Sequence, residues 1–86
     1  MSEEGVLEIG TVKHFFHKIS VALVDLTAPL AVGDCILFAG PTTNVQTTVN
    51  VIQVENTNIQ RAEAGQSVGL KIPQAVKPQD VVYKKL

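Results

Sequence analysis

The chain has 86 residues, the length of one domain with a single modest hydrophobic core. Apolar residues make up 45% and charged residues 17%, a globular composition that excludes an intrinsically disordered protein. The net charge of −1 argues against strong sequence-independent binding to nucleic acid, because such binding needs an excess of positive charge.

The N-terminal part predicts a tail followed by a hairpin. Residues 1–5 are acidic and we expect them to form a flexible tail, with a single domain over residues 6–86. Alternating apolar side chains predict a first strand over residues 6–13, in which Gly10 marks a bend. Residues 14–18 then separate two strand patterns, so they are interpreted as the end of the hairpin.

The second predicted strand, residues 19–26, is apolar on both faces. Ile19, Val21 and Leu23 share one face, and Ala22 and Val24 share the other. One face should line the core, and the other needs a covering segment or a partner. We expect an exposed apolar patch that includes Ala22 or Val24.

The central part of the chain predicts a long connection and three strands. Residues 27–34 are punctuated by proline and glycine and are interpreted as a connection. Strands are expected over residues 35–39, 45–55 and 59–62. In the second of these the apolar positions change phase, which predicts a bulge near residues 51–52.

A tight turn at Gly65 is predicted to organise the fold. Glycine takes a positive φ without a steric clash, so Gly65 can reverse the chain. Val68, Leu70 and Ile72 then alternate with polar residues or glycine, as in a half-buried strand. Gly69 within it should mark a bend, a bulge or a close approach of another backbone segment. A last strand is expected over residues 80–84.

This succession of short strands, with no sustained helical period, predicts an all-β domain. Six or seven strands in so short a chain favour a small closed antiparallel barrel, because closure removes exposed sheet edges. The single cysteine cannot form an internal disulfide, and no apolar run is long enough to span a membrane. We therefore expect a cytoplasmic protein.

Several short motifs occur together along the chain, at residues 9–12, 30–34, 64–70 and 76–83. Their order resembles the second domain of elongation factor Tu-type translational GTPases, over about residues 6 to 85. Residues 14–22 are similar to a His-Phe-Phe-x-Lys-Ile-x-Val-Ala stretch of stand-alone translation elongation factor-like proteins. A related barrel occurs at the C-terminus of some collagenase-like peptidase family proteins.

The resemblance implies a closed Greek-key barrel of the translation-protein type that contacts tRNA or ribosomal RNA. It implies no GTP chemistry, because the GTPase domain is absent and no phosphate-binding loop motif occurs in this chain. In elongation factor Tu a carboxylate just before the Ala-Gly turn is involved with the aminoacyl end of tRNA. The aligned position here is Arg61, a reversal of charge, and the resemblance makes Arg61 a candidate RNA- or partner-binding residue.

One cluster mixes positive charge with aromatic rings: Lys13, His14, Phe15, Phe16, His17 and Lys18. Such a mixture suits RNA, because cations meet phosphates and rings stack on bases. In a purely structural alternative, one phenylalanine closes the end of the barrel and the basic residues are solvated. RNA contact and protein contact both remain open for this cluster.

No catalytic, metal or cofactor site is expected. His14 and His17 supply too few ligands for a metal, and Cys35 lies far along the chain. Neither Ser20 nor Ser67 stands in a nucleophile motif. Two hypotheses follow: a non-enzymatic translation accessory on tRNA or the ribosome, and a protein-interaction module docking on a larger enzyme such as a collagenase-like peptidase. The oligomeric state is left open.

Overall fold

A computed structural model describes residues 5–86, and this part of the chain is all β-strand and loop, without a helix. Apart from Gly5, the predicted acidic tail lies outside the described residues. Gly5 forms a turn, and its carbonyl accepts a hydrogen bond from the Leu86 N–H at 2.7 Å, so the two ends of the described chain meet. No helix that could cross a membrane is found among the described residues.

Ten strands are formed where six or seven were predicted. The long connection contains one short strand, and the strands predicted over residues 45–55 and 59–62 each correspond to two strands. In chain order they are β1 (Val6–Phe16), β2 (Val21–Leu26), β3 (Leu30–Ala31), β4 (Cys35–Ala39), β5 (Asn44–Thr48), β6 (Ile52–Val54), β7 (Thr57–Ile59), β8 (Arg61–Ala62), β9 (Ser67–Lys71) and β10 (Val81–Lys85).

Eight of the strands form one antiparallel sheet in the order β5-β4-β10-β1-β2-β9-β6-β7, and β3 pairs with β8 in a small second sheet. The β1–β2 hairpin lies at the centre of the large sheet, between β10 and β9. Three residues, 49–51, join β5 at one edge to β6 near the other edge. That link spans no more than about 15 Å, so the sheet is strongly curled.

The prediction of a closed barrel is wrong, because the curled sheet does not join its edges by hydrogen bonds. β5 pairs with β4 on one side, and no second strand pairs with it among the described residues. The chain that lies across the gap is the end of β9, where Lys71 and Pro73 line a groove together with Thr47. The Ile72 N–H is bonded to the Ser20 carbonyl at 3.0 Å, and Pro73 has no N–H to offer.

Bulges place the core side chains of β1 at intervals of three residues. The pairing register shifts between Glu8 and Gly10 against β10, and between Val12 and His14 against β2. Each bulge moves the next side chain to the other face. Ile9, Val12 and Phe15 are therefore all buried, whereas strict alternation would have placed Leu7 with Ile9. The predicted bend at Gly10 is confirmed as the first bulge.

The core lies inside the curl of the large sheet. Its largest fully buried side chains include Phe38, Ile36, Ile52 and Leu70. The predicted bulge near residues 51–52 is instead a break between β5 and β6. Val49 at the start of this break and Ile52 directly after it are both buried. The phase change in the sequence therefore located the point where the chain crosses from one edge of the sheet to the other.

The turn at Gly65 has the predicted form. Gly65 has a φ of +92°, and its N–H donates to the Leu26 carbonyl at 2.8 Å. The Gln66 side chain caps the same turn by accepting the Glu63 N–H at 2.7 Å. Val68 and Leu70 of the following strand are buried, as the alternation predicted.

We expect Gly65→Ala to destabilise the domain through backbone strain alone. A Cβ at Gly65 would meet no atom within 4 Å, so the cost is that of holding alanine at a positive φ. That cost is about 1–2 kcal/mol. Urea unfolding followed by circular dichroism measures it, and an unchanged free energy of unfolding would show that this turn relaxes freely.

Candidate functional site

The end of the β1–β2 hairpin projects from the centre of the large sheet. We call residues 13–19 the hairpin tip. β1 runs to Phe16, three residues further than predicted, and a turn over residues 17–20 leads into β2. The turn is fixed by a hydrogen bond from the Ile19 N–H to the Phe16 carbonyl at 3.3 Å and by the positive φ of Ser20, 56°.

The second bulge of β1 sorts the side chains of the tip between two faces. Phe15 points inward and is 6% exposed, while Phe16 is 42% exposed. The expectation that at least one phenylalanine is buried is therefore confirmed. The imidazole of His14 packs edge-on against Phe16 with ring centroids 4.5 Å apart, and His17 packs in the same way against Phe15 at 4.9 Å. Each face of the tip thus carries one histidine–phenylalanine pair.

The outer face of the hairpin carries an apolar surface that continues from the tip along β2. Phe16 pairs with Val21, and His14 pairs with Leu23, across the hairpin. Ile19, in the turn beside them, is 57% exposed. We define the outer patch by four side chains: Phe16, Ile19, Val21 and Leu23.

Gly69 of β9 helps to keep this patch open. It pairs with Leu23, and a Cβ at this glycine would lie 3.1 Å from Cγ1 of Val21. The predicted close approach of another backbone at Gly69 is not found, because the nearest backbone atom to such a Cβ, the Gln53 carbonyl oxygen, would be 3.8 Å away; it is the Val21 side chain that lies against the glycine. Because glycine has no side chain, β9 adds nothing there that could cover Leu23.

The predicted assignment of the two faces of β2 is wrong. Ala22 and Val24 are fully buried in the core, together with Leu26. The partly exposed face is the one that holds Val21 and Leu23. The sequence held the signal for this, because Asp25 falls on the face of Val21 and Leu23 while the other face is wholly apolar.

The lysines around the outer patch differ in whether they form an ion pair. Lys13 lies 3.6 Å from the Asp25 carboxylate, which also accepts a hydrogen bond from the Ser67 hydroxyl. Lys18 and Lys71 form no ion pair within residues 5–86. Lys71 is near the patch because it pairs with Val21 across the sheet, and Lys18 lines the same recess as Phe16 and Ile19. The patch thus has an apolar centre with two positive charges near it that form no ion pair among the described residues.

Two depressions flank the hairpin tip. One, of about 310 Å³, is formed by residues 14–19 themselves. The other, of about 400 Å³, lies between the tip and two loops and is lined by His14, His17, Thr42, Val76 and Pro78 among others. Lys77 on its rim donates a hydrogen bond to the Thr42 hydroxyl at 2.9 Å. The side chains of the tip therefore line two recesses, one of which also involves the loops at residues 42–43 and 75–78.

Arg61 is not part of this surface. It lies in β8, where it pairs with Ala31 of the small sheet, and its guanidinium contacts the Glu63 carboxylate at 3.2 Å. It lines a separate depression with Asp34 and Lys84. The structure thus brings together six of the seven predicted site residues and leaves Arg61 at another site.

Within residues 5–86, no three histidine, cysteine, aspartate or glutamate side chains lie close enough to hold a metal ion. Cys35 is half-buried at the start of β4, and its sulfur accepts a weak hydrogen bond from the Gln46 amide at 3.6 Å. The side chains of the tip offer contact surface and hydrogen bonds.

No protein-family model matches the chain. Over 78 residues, or 90% of its length, the chain is 38% identical to an uncharacterized protease of Methanocaldococcus jannaschii. Those residues make up 19% of that protease, so the chain spans about a fifth of the length of this curated relative.

Two solved structures share the fold. The C-terminal domain of a putative U32 peptidase from Geobacillus thermoleovorans superposes with a TM-score of 0.85, at 22% identity, over 92% of this chain and 92% of that domain. Its selenomethionine variant gives a TM-score of 0.84 over 88% and 96% of the two chains, also at 22% identity.

These findings correct the resemblance to translation factors. The sequence match is to a protease, and the superposable structures are the C-terminal domain of a peptidase, so the expected kinship with elongation factor Tu is wrong. The translation role inferred from that kinship is contradicted with it, and the findings give no support for contact with tRNA or the ribosome. The findings favour the alternative, a module associated with a larger peptidase-type protein.

Proposed function

We propose that this domain is a non-catalytic docking module of a larger peptidase-type protein and that it docks through the outer patch. The observation that carries the proposal is the match to a protease in which the corresponding segment is 19% of the chain. In such a protein the domain has a much larger neighbour. A surface that binds this neighbour is then expected on the domain.

The outer patch has the composition of a binding surface. Phe16 and Ile19 are two of the four large apolar side chains that are well exposed among the described residues. They adjoin each other at the tip, and Val21 and Leu23 extend the apolar area along β2. Exposed aromatic and aliphatic groups of this kind supply most of the affinity when they enter a pocket on a partner.

The charges near the patch specify the chemistry of the partner. Lys18 and Lys71 stand near the apolar centre without ion pairs among the described residues. A matching surface is therefore an apolar pocket with carboxylates at its rim. Such charges at the rim speed association, and salt weakens their attraction to the partner, whereas salt does not weaken the apolar contact.

A non-catalytic role is supported by what the described residues contain. Apart from the two lysines, Lys18 and Lys77, the titratable side chains that line the two recesses at the tip are His14 and His17, and both histidines pack on phenylalanine rings. The purified domain is expected to leave denatured collagen intact. Cleavage that persists after removal of contaminating proteases would contradict this part of the proposal.

Replacing Ile19 by aspartate is expected to weaken docking at least about tenfold, because it places a charge in the apolar contact. The binding partner for the test is the M. jannaschii protease lacking its matched segment, checked for folding by circular dichroism. Isothermal titration calorimetry then compares the wild-type domain with Ile19→Asp and Phe16→Asp.

The matched control is Leu7→Asp. Leu7 is 43% exposed, as exposed as Phe16, and lies near the opposite end of β1. We expect this change to leave the dissociation constant within about twofold, since exposed positions outside a contact contribute little. An equal loss of affinity in all three variants would mean that the outer patch has no special role.

A further inference from the structure

The open edge of the large sheet carries a second surface, separate from the outer patch. β5 is the edge strand, paired with β4 on one side. The hairpin turn fixes which backbone groups face β4. Gly40 and Thr43 exchange two hydrogen bonds, at 3.0 and 3.3 Å, and the Val49 N–H donates to the Asp34 carbonyl at 2.8 Å.

Because antiparallel pairs alternate between bonded and non-bonded, these contacts set the whole ladder. Val45 and Thr47, like Val49, direct their N–H and C=O groups to β4. Asn44, Gln46 and Thr48 direct theirs away from it, and no backbone group of the described chain pairs with them. The edge therefore presents three donors and three acceptors in a row.

The sequence of β5 itself carries no protective residue, although Lys71 and Pro73 lie across the groove from Thr47. Natural edge strands are usually blunted by lysine, proline, a bulge or shortness. The chain carries no charged residue between Asp34 and Glu55, and β5 contains neither proline nor glycine. The other edge strand, β7, is only three residues long, and the charged residue Arg61 follows two positions after its end. β5 is therefore the edge that is free to add another strand.

We propose that β5 pairs with β5 of a second copy of this chain, antiparallel and about a twofold axis at Gln46. This register sets Gln46 opposite its equivalent and Asn44 opposite Thr48, so that the outward groups of both strands form about six backbone hydrogen bonds. The exposed side chains that meet across the axis are neutral and can hydrogen-bond to one another.

The surroundings of β5 fit a second copy. In this register the turn that precedes β5 in one copy reaches the end of β5 in the other. There a groove of about 300 Å³, lined by Asn50, Val51 and Ile72 among others, leaves room for it. The strand has no charge to repel its equivalent, which is what a self-complementary interface requires.

Gln46→Pro tests the proposal directly. The Gln46 N–H faces away from β4, so proline there removes no backbone hydrogen bond of the monomer but blocks the centre of the intermolecular ladder. Gln46→Thr is the matched control: it also loses the contact from the Gln46 amide to Cys35 but keeps the N–H. Circular dichroism melting establishes that both variants are folded.

Sedimentation velocity gives the readout. The interface belongs to the weak class, below about 1,200 Å² of buried area, so the measurement extends to about 1 mM protein. The wild type and Gln46→Thr are expected to approach twice the 9.2 kDa monomer mass with rising concentration, while Gln46→Pro stays monomeric. If Gln46→Pro does not fold, Gln46→Lys replaces it and is expected to weaken association at least tenfold by placing two like charges opposite each other.

Two results would overturn the proposal. A wild type that remains monomeric at about 1 mM protein, the highest concentration measured, has no self-pairing edge. A dimer that persists in Gln46→Pro or Gln46→Lys uses another surface. If the β5 amides become protected from hydrogen exchange when the M. jannaschii protease lacking its matched segment is added, and no dimer forms without it, the edge binds that partner instead.

Discussion

Phe38→Ala is expected to lower the free energy of unfolding by about 3–5 kcal/mol, the range for removing a fully buried aromatic side chain. Phe38 is 0% exposed and lies in β4, which pairs with both β5 and β10. A domain of this size has a total stability of roughly 5–10 kcal/mol, so the variant retains little of it. Urea unfolding monitored by circular dichroism is the measurement.

Phe16→Ala is the matched control, because it removes the same side chain from a position that is 42% exposed. Its loss of stability is expected to be about 1 kcal/mol, well below that of Phe38→Ala, since a large part of this side chain is already in contact with water. Equal losses at the two positions would contradict the assignment of Phe38 to the core and of Phe16 to the outer patch.

Gly10→Ala is expected to cost about 3 kcal/mol, at the upper end of the range for overpacking. A Cβ at Gly10 would lie 2.5 Å from the backbone carbonyl oxygen of Asp25 and 3.0 Å from Cγ1 of Val24. The carbonyl belongs to a paired strand and cannot rotate away, so the bulge of β1 has to shift.

Gly69→Ala provides the comparison for Gly10. There the nearest atom to the added Cβ is Cγ1 of Val21 at 3.1 Å, a side chain at the surface that can give by a few tenths of an ångström. A cost of less than half that of Gly10→Ala is expected from the same unfolding measurement. A larger loss of stability in Gly69→Ala than in Gly10→Ala would show that the backbone of β2 shifts more easily than this packing implies.

The sequence predicted the strands where one residue type determines the backbone. Gly65 has the positive φ that its turn position required, and Val68 and Leu70 are buried as their alternation implied. Prediction failed in β1, where two bulges change the spacing of buried residues from two to three. Bulges depend on the partner strand, which the local pattern does not contain.

Closure of the barrel was mispredicted for a related reason. Whether two edges join depends on which N–H groups are free at the meeting point, and that is a property of the tertiary structure. Here the Ile72 N–H is bonded to Ser20, and Pro73 follows it. Pro73 can be read from the sequence, but the sequence does not show that it lies opposite β5, where its missing N–H prevents pairing.

The predicted binding residues do not all lie together, and their role stays a prediction. The cluster at residues 13–18 does lie on one projecting tip, but Arg61 does not join it, and Ile19, Val21 and Leu23 were not included. The resemblance to translation factors rested on short glycine motifs. Such motifs specify turns that many small β domains share, so they indicated the fold class better than the function.

Docking through the outer patch is tested most directly by mapping the contact. The ¹⁵N-labelled domain is titrated with the M. jannaschii protease lacking its matched segment, and amide chemical shifts are followed by NMR. We predict that the largest changes fall on Phe16, Ile19, Val21 and Leu23. Changes centred on the depression beside Arg61, or no changes at a saturating concentration of the partner, would contradict this account.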